Sequence, residues 1–479
     1  MTDQMVIEAA EAQDTSPPDA PEMAELLITI LADGLDHPEL WSQMEEILGC
    51  LPDLPEELAR RMHLAAGSNA QTLPVLLLIM CFAARGQVDF ALEQIQPMAA
   101  SNSQSPLIQG ALFHLHALKD PTNPRYQLEG KICATPFLQM DVLENSSHLC
   151  CASWLQTSAG NLSTATDWED VWNSQAAQNI RESIHDGSYR YCNKMACPII
   201  QSNRLVPVAE IAARPDPRFH WIAEGATRLP VGPDVVNLAY DRTCNLSCPS
   251  CRTEKYAADE ATRQAYDDMQ TTRILPMLKD AKRVIVTGSG DPFASKNFRR
   301  LMLQLTPEDY PELKFQIMTN GMLFTPRQWA SFPALHGRTS VLKISVDAAT
   351  GPTHELLRRG AHWPVMLENM AFAGELAAKK LVDYYELVFT VQQENFREMG
   401  DAVDLAKAVG AQAVYFARMT NWGTFSDREY ADKAVFLPSH PEHEDFLRHM
   451  ADPRLRDPMV LLGDMTEFVD LTERMTEAA

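Results

Sequence analysis

Three cysteines, Cys244, Cys248 and Cys251, carry the clearest chemistry in this sequence. They lie in Tyr240-Asp-Arg-Thr-Cys-Asn-Leu-Ser-Cys-Pro-Ser-Cys-Arg252, a C-x-x-x-C-x-x-C loop that follows an apolar run at 235–240. Thiolates at this spacing can hold three irons of a cubane [4Fe–4S] cluster and leave the fourth iron open to a substrate or cofactor. An open iron points to chemistry, whereas a closed four-ligand site points to structure or electron transfer. The competing reading is zinc, which in structural sites pairs C-x-x-C ligands and closes with a fourth Cys or His. No Cys follows Cys251, and no His-x-His array does either, so the cluster is favoured.

A second group comprises Cys133, Cys150, Cys151, Cys192 and Cys197. Eight of the ten cysteines fall between 133 and 251, a clustering that suits metal ligation and not dispersed disulfides. Four thiolates suffice for one closed [4Fe–4S] cluster. Cys133, Cys151, Cys192 and Cys197 are the preferred set, with Cys150 the alternative to Cys151 and zinc the alternative metal.

The elements that must position these residues follow from periodicity. Strands are expected at 235–240, 283–287, 313–318, 341–346, 384–391 and 412–418, with helices between them at 264–279, 296–305, 364–379 and 397–408. Six β/α units in series imply a parallel sheet with helices outside and a ligand at the C-terminal ends of the strands. The cysteine loop follows the first strand, which puts it at that end. Upstream, residues 1–22 read as an acidic disordered tail and 23–120 as helical, with apolar spacings at Leu26, Leu27, Ile30 and Leu31. Either tetratricopeptide-like hairpins or a plain helical cap fits that pattern. Residues 121–202 form a Cys-rich module, 203–232 a Pro-containing linker, 233–423 the β/α region and 424–479 an extension without legible chemistry.

The bulk numbers narrow the partners. The chain has 479 residues, is 46% apolar, and carries a formal net charge of −23. Sizeable cores are possible, and a nucleic-acid partner, which needs a basic footprint, is disfavoured. The start lacks a signal peptide's basic and apolar regions. The longest apolar run, 73–84, is too short to span a bilayer. Together with the need for reduced thiols, this places the expected location in the cytoplasm, with no membrane partner.

The motifs at 233–422 resemble those of the radical S-adenosylmethionine (radical SAM) enzymes. After the second strand, Ser289, Gly290, Asp291 and Pro292 are similar to that family's Gly-Gly-Glu-Pro turn, with Ser for the first Gly and Asp for Glu. Asn320, in Met318-Thr-Asn-Gly321, matches a strand-end motif. Ser345 and Asp347, in Ile344-Ser-Val-Asp347, match another, followed by Arg358 and Arg359. The sixth strand ends near Phe416, in the region that packs on adenine. The resemblance implies a partial (β/α)6 barrel in which these residues contact SAM, with the turn and its acid receiving the ammonium. It also implies a flavodoxin- or ferredoxin-type reductant and reductive cleavage of SAM to a 5′-deoxyadenosyl radical that abstracts a substrate hydrogen. The upstream cysteines resemble a SPASM/twitch module with an auxiliary cluster, here encoded before the barrel. Peptide or protein side-chain modification is the expected function. The alternatives are dehydrogenation or epimerisation of a carbohydrate or small metabolite, and a non-catalytic iron–sulfur or zinc scaffold. Asn421 and Trp422, after the last strand, are further candidates for substrate contact.

Overall fold

A computed structural model describes residues 76, 79, 80, 82, 83, 86–103, 105–286 and 289–469. The acidic tail, the helical spacings at 26–31, and Thr287 and Gly288 of the turn lie outside these residues. Two compact units emerge.

Within the described residues, the first unit is the chain up to Cys133 together with Ser153–Leu155 and Glu182–Pro215. Helices Val88–Ser101 and Pro106–Lys119 form a hairpin. Ser105 caps the second helix by accepting the Ile108 N–H, and Pro106 stands at a first-turn position where no amide hydrogen is required. Ala91, Leu92, Ile95 and Ala99 of one helix and Ile108, Ala111, Leu112 and Leu115 of the other share a core with Leu76, Ile79 and Met80. A short antiparallel pair, β1 (Lys131–Ile132) with β4 (Val206–Pro207), lies in the same unit.

The second unit holds a nine-stranded sheet. Its strands are β2 (Gln139–Leu143), β3 (Ser147–His148), β5 (Val235–Ala239), β6 (Arg283–Val286), β7 (Lys314–Thr319), β8 (Thr339–Ser345), β9 (Tyr385–Val391), β10 (Ala413–Arg418) and β11 (Val460–Leu461). The order is β11-β10-β9-β8-β7-β6-β5-β2-β3, parallel throughout except for β2 with β3. The six expected strands appear in sequence order, within about two residues of their expected bounds. Two additions were not expected. β2, from the stretch read as a separate Cys-rich module, pairs in parallel along the whole of β5. β11, from the stretch read as an extension, pairs with β10. Both cover edges whose backbone groups would otherwise be unpaired.

Strand alternation gives the sheet two different faces. Ile317, Leu342, Ile344, Leu387, Phe389, Val414 and Phe416 stand in register on one face and are fully buried. Helices Trp363–Ala378 and Met399–Ala408 pack on β9 and bury Met366, Met370, Ala373, Ala402 and Val403. The opposite face carries Met318, Lys343, Ser345, Glu386, Val388 and Tyr415 and is largely half-buried. On it Lys343 Nζ reaches Glu386 Oε1 at 2.6 Å.

Candidate cluster and cofactor site

The cysteine loop leaves β5 and is fixed at both ends by backbone bonds. Asp291 N–H donates to the Thr243 carbonyl at 2.9 Å, Cys244 N–H to that of Tyr256 at 3.0 Å, and Ser247 N–H to that of Arg359 at 3.1 Å. Gly290 is what allows the first of these. A Cβ there would stand 2.4 Å from the Thr243 oxygen and 2.6 Å from that of Asp241. The glycine therefore admits the chain's own cysteine loop. Asp241, itself buried, accepts from Thr243 N–H and from the Ser295 hydroxyl.

Each of the three sulfurs meets N–H donors. Cys244 Sγ is 3.5 Å from both Leu246 N and Asn320 Nδ2; Cys251 Sγ is 3.4 Å from Arg252 Nη2; Cys248 Sγ is 4.0 Å from Arg358 Nη1. Burial pushes the Cys244 and Cys248 thiols up. The Leu246 amide works against this at Cys244 and the Arg358 guanidinium at Cys248. Such donors favour thiolates, the form that binds metal. Arg358 also pairs with Asp347 at 2.7 Å, and its buried Nε has no hydrogen-bond partner among the described residues. Sulfur chemistry, cationic surroundings and an orphaned donor together fit a cluster with a bound anionic or zwitterionic ligand. Among the described residues, no three His, Cys, Asp or Glu side chains stand close enough to share one metal ion. Thiolates of a cubane each bind a separate iron.

The strand-end residues read as cofactor contacts fall at this end of the sheet, but most are engaged by the protein. Ser289 Oγ donates to the Ala239 carbonyl at 2.8 Å. Asp291 is fully buried and accepts from Thr319 Oγ1, Asn320 N–H and Phe293 N–H; burial pushes its carboxyl up. Asn320 Nδ2 also donates to Asn245 Oδ1. Asp347 adopts a positive φ of 54° and accepts from Thr390 N–H. The two arginines separate: Arg358 faces Cys248 and Asp347, while Arg359 braces the loop at Ser247 and Thr253. Phe416 is a correction. It lies on the fully buried face against Phe389, with ring centroids 5.3 Å apart, whereas its neighbours Tyr415 and Ala417 share the face of Ser345. Strand parity decides this: an aromatic at the right strand end points to the helices if its position is even with the core residues. Asn421 holds its own loop through Phe425 and Gly423, leaving Trp422 exposed.

Arg252 and Asp241 were not singled out from the sequence. Both flank or sit inside the cysteine loop, and a charged residue beside a metal ligand was the available signal.

In the first unit, Cys133 and Cys197 lie close enough to Cys192 for their charges to add to burial in pushing its thiol up. Tyr189, buried at a positive φ, donates to the Lys131 carbonyl beside them. The loop carrying Cys192 and Cys197 is tied down by Asn193, which donates from Nδ2 to the Ser103 carbonyl and from its backbone N–H to that of Trp154. Met195 packs on the helical core. Cys150 and Cys151 belong to the second unit.

Residues 241–406 match the model of the Radical SAM superfamily; the chain carries a radical SAM domain. Among solved structures it is similar to Streptococcus suis SuiB, at 12% identity over 61% of this chain and 62% of that one, with a TM-score of 0.35. SuiB bound to S-adenosylmethionine aligns at 11% identity over 44% of this chain and 48%, about half, of that one, with a TM-score of 0.30. Native anSMEcpe with bound AdoMet and Kp18Cys peptide aligns at 16% identity over 46% of this chain and 60% of that one, with a TM-score of 0.32. No curated protein matches the sequence significantly. Among the described residues no helix is long and apolar enough to cross a membrane.

Proposed function

We propose that this chain is a radical SAM enzyme whose sheet forms a partial (β/α)6 barrel around its half-buried polar face. The observation that carries the reading is the cysteine loop: three sulfurs, each met by N–H donors, within the matched radical SAM domain. Cys244, Cys248 and Cys251 hold a [4Fe–4S] cluster. Bound together, cluster and SAM supply reductive sulfonium cleavage and a 5′-deoxyadenosyl radical. Arg358, with its unsatisfied Nε and its Asp347 partner, orients the carboxylate of the ligand, and Ser345 lies on the face that receives it. The fixed strand ends around Asp291 and Asn320 preorganise the loop, so little rearrangement accompanies binding.

An auxiliary cluster is proposed on Cys133, Cys192 and Cys197 of the first unit, and iron content in a Cys192→Ala variant tests it. The proposed substrate is a peptide or protein side chain. The exposed Phe90 and Leu118 on the helical hairpin offer apolar contacts that a small hydrophilic metabolite does not need. Anaerobically reconstituted, reduced protein should give a paramagnetic cluster signal that changes when SAM is added. Zinc in place of iron after anaerobic purification would overturn the reading. Deuterium transfer from labelled peptides into 5′-deoxyadenosine supports the substrate class; transfer from labelled sugars alone replaces it.

A further inference from the structure

We infer that Arg252 is the built-in counter-charge of the Cys244/Cys248/Cys251 cluster, a positioning residue that biases the cluster toward its reduced state. This rests on the cluster reading proposed above. The residue is only 7% exposed. Its Nη1 donates to the Arg242 carbonyl at 2.6 Å, and its Nη2 donates to the Ser289 carbonyl and lies 3.4 Å from Cys251 Sγ. One guanidinium thus joins the root of the cysteine loop, the turn after β6 and a ligand sulfur.

The charge balance around it is unusual. Among the described residues no carboxylate forms an ion pair with Arg252, and the ligand group it touches is the Cys251 sulfur, 3.4 Å from Nη2. A buried cation without a counter-ion is strongly unfavourable, and two carbonyl dipoles answer it only in part. Thiolates holding a cubane provide the missing negative charge. Arg358 differs, because Asp347 neutralises it at 2.7 Å. Of the two guanidiniums that touch a ligand sulfur, Arg252 is the one without a carboxylate partner among the described residues.

Reduction adds one electron, taken from dithionite in the assay, to a group that is already anionic. A nearby cation in a low-dielectric site stabilises the added charge, and hydrogen bonding to cluster sulfurs is an established lever on potential. Charge and geometry can be separated because Arg252→Lys keeps the charge but loses the planar fork, while Arg252→Gln loses the charge.

The experiment is a redox titration of the full-length reconstituted protein, following the paramagnetic signal that responds to SAM. Arg252→Gln should move the midpoint to more negative potential, by about tenfold in the reduction equilibrium, or about 59 mV for one electron. Arg252→Lys should stay closer to wild type than to Arg252→Gln. With iron content intact, an unchanged midpoint in Arg252→Gln, or a shift in Arg252→Lys as large as in Arg252→Gln, overturns the inference alone. If Arg252→Gln loads no iron, full loading of Arg252→Lys supports the role of charge and failed loading overturns it. Wild-type protein with no SAM-responsive cubane overturns the cluster reading itself, and the inference with it.

Discussion

The Asp291 carboxylate faces three donors: the Thr319 hydroxyl at 2.6 Å, the Asn320 amide at 2.9 Å and the Phe293 amide at 3.0 Å. Asparagine there would put an NH2 donor where a carboxylate oxygen now accepts, facing donors. Although Asp291→Asn removes a buried charge, we expect it to cost about 1–3 kcal/mol, read as a lower Tm or denaturation midpoint. His354 is a second test at this scale. It is fully buried, its Nδ1 donates to the Val346 carbonyl at 2.7 Å, and burial holds its pKa below the ordinary 6.5. As pH falls through 6.5, the unfolded chain takes up the proton before the folded one does. Stability contributed by the neutral ring is therefore present above 6.5 and lost as pH drops toward the folded value. His354→Asn keeps a donor toward Val346 without titrating, so its melting temperature should fall less than wild type's between about pH 7 and about pH 5. The cysteines stand out as candidates at this scale because metal ligation depends on residue type and spacing. The role of Asp291 was not, because an acid in a glycine turn serves a ligand or its own strand ends with the same letters. Phe416 was misplaced because the motif fixes a strand end but not which face an aromatic takes.

At the scale of elements, the parallel core was legible from its alternating apolar runs and the helices between them. β2 and β11 were not. Five residues with Met140, Val142 and Leu143 as apolar members, or two residues at β11, give too little periodicity to separate a strand from a loop. Their pairing is set by edges that exist only once the sheet has formed. Close approaches between elements are likewise visible only in three dimensions. A Cβ on Gly374, in helix Trp363–Ala378, would lie 2.1 Å from the Val409 carbonyl at the end of helix Met399–Ala408. Since the obstacle is backbone, Gly374→Ala should cost about 1–3 kcal/mol or more despite its better helix propensity, as shown by thermal or chemical denaturation. Gly290→Ala meets the cysteine loop in the same way, so its expected signature is lost iron loading as well as lost stability.

For the whole molecule, the chain carries a formal net charge of −23, and eight of its ten cysteines cluster between 133 and 251. The helical hairpin and the loop carrying Cys192 and Cys197 form one packed unit. The sequence reading had split them between a helical region and a Cys-rich module, since local periodicity does not show which segments share a core. Two clusters require about eight irons per chain, and the combined Cys133→Ala, Cys192→Ala and Cys197→Ala variant should fall to about four while retaining SAM cleavage. The central claim is an open iron that serves SAM at the loop after β5. Its most direct test is 5′-deoxyadenosine formation from SAM by anaerobically reconstituted, dithionite-reduced protein, measured by mass spectrometry. We expect wild type to form it and Cys248→Ala to form none. A wild-type protein that holds a reducible cluster and bound SAM yet yields no 5′-deoxyadenosine would contradict the claim.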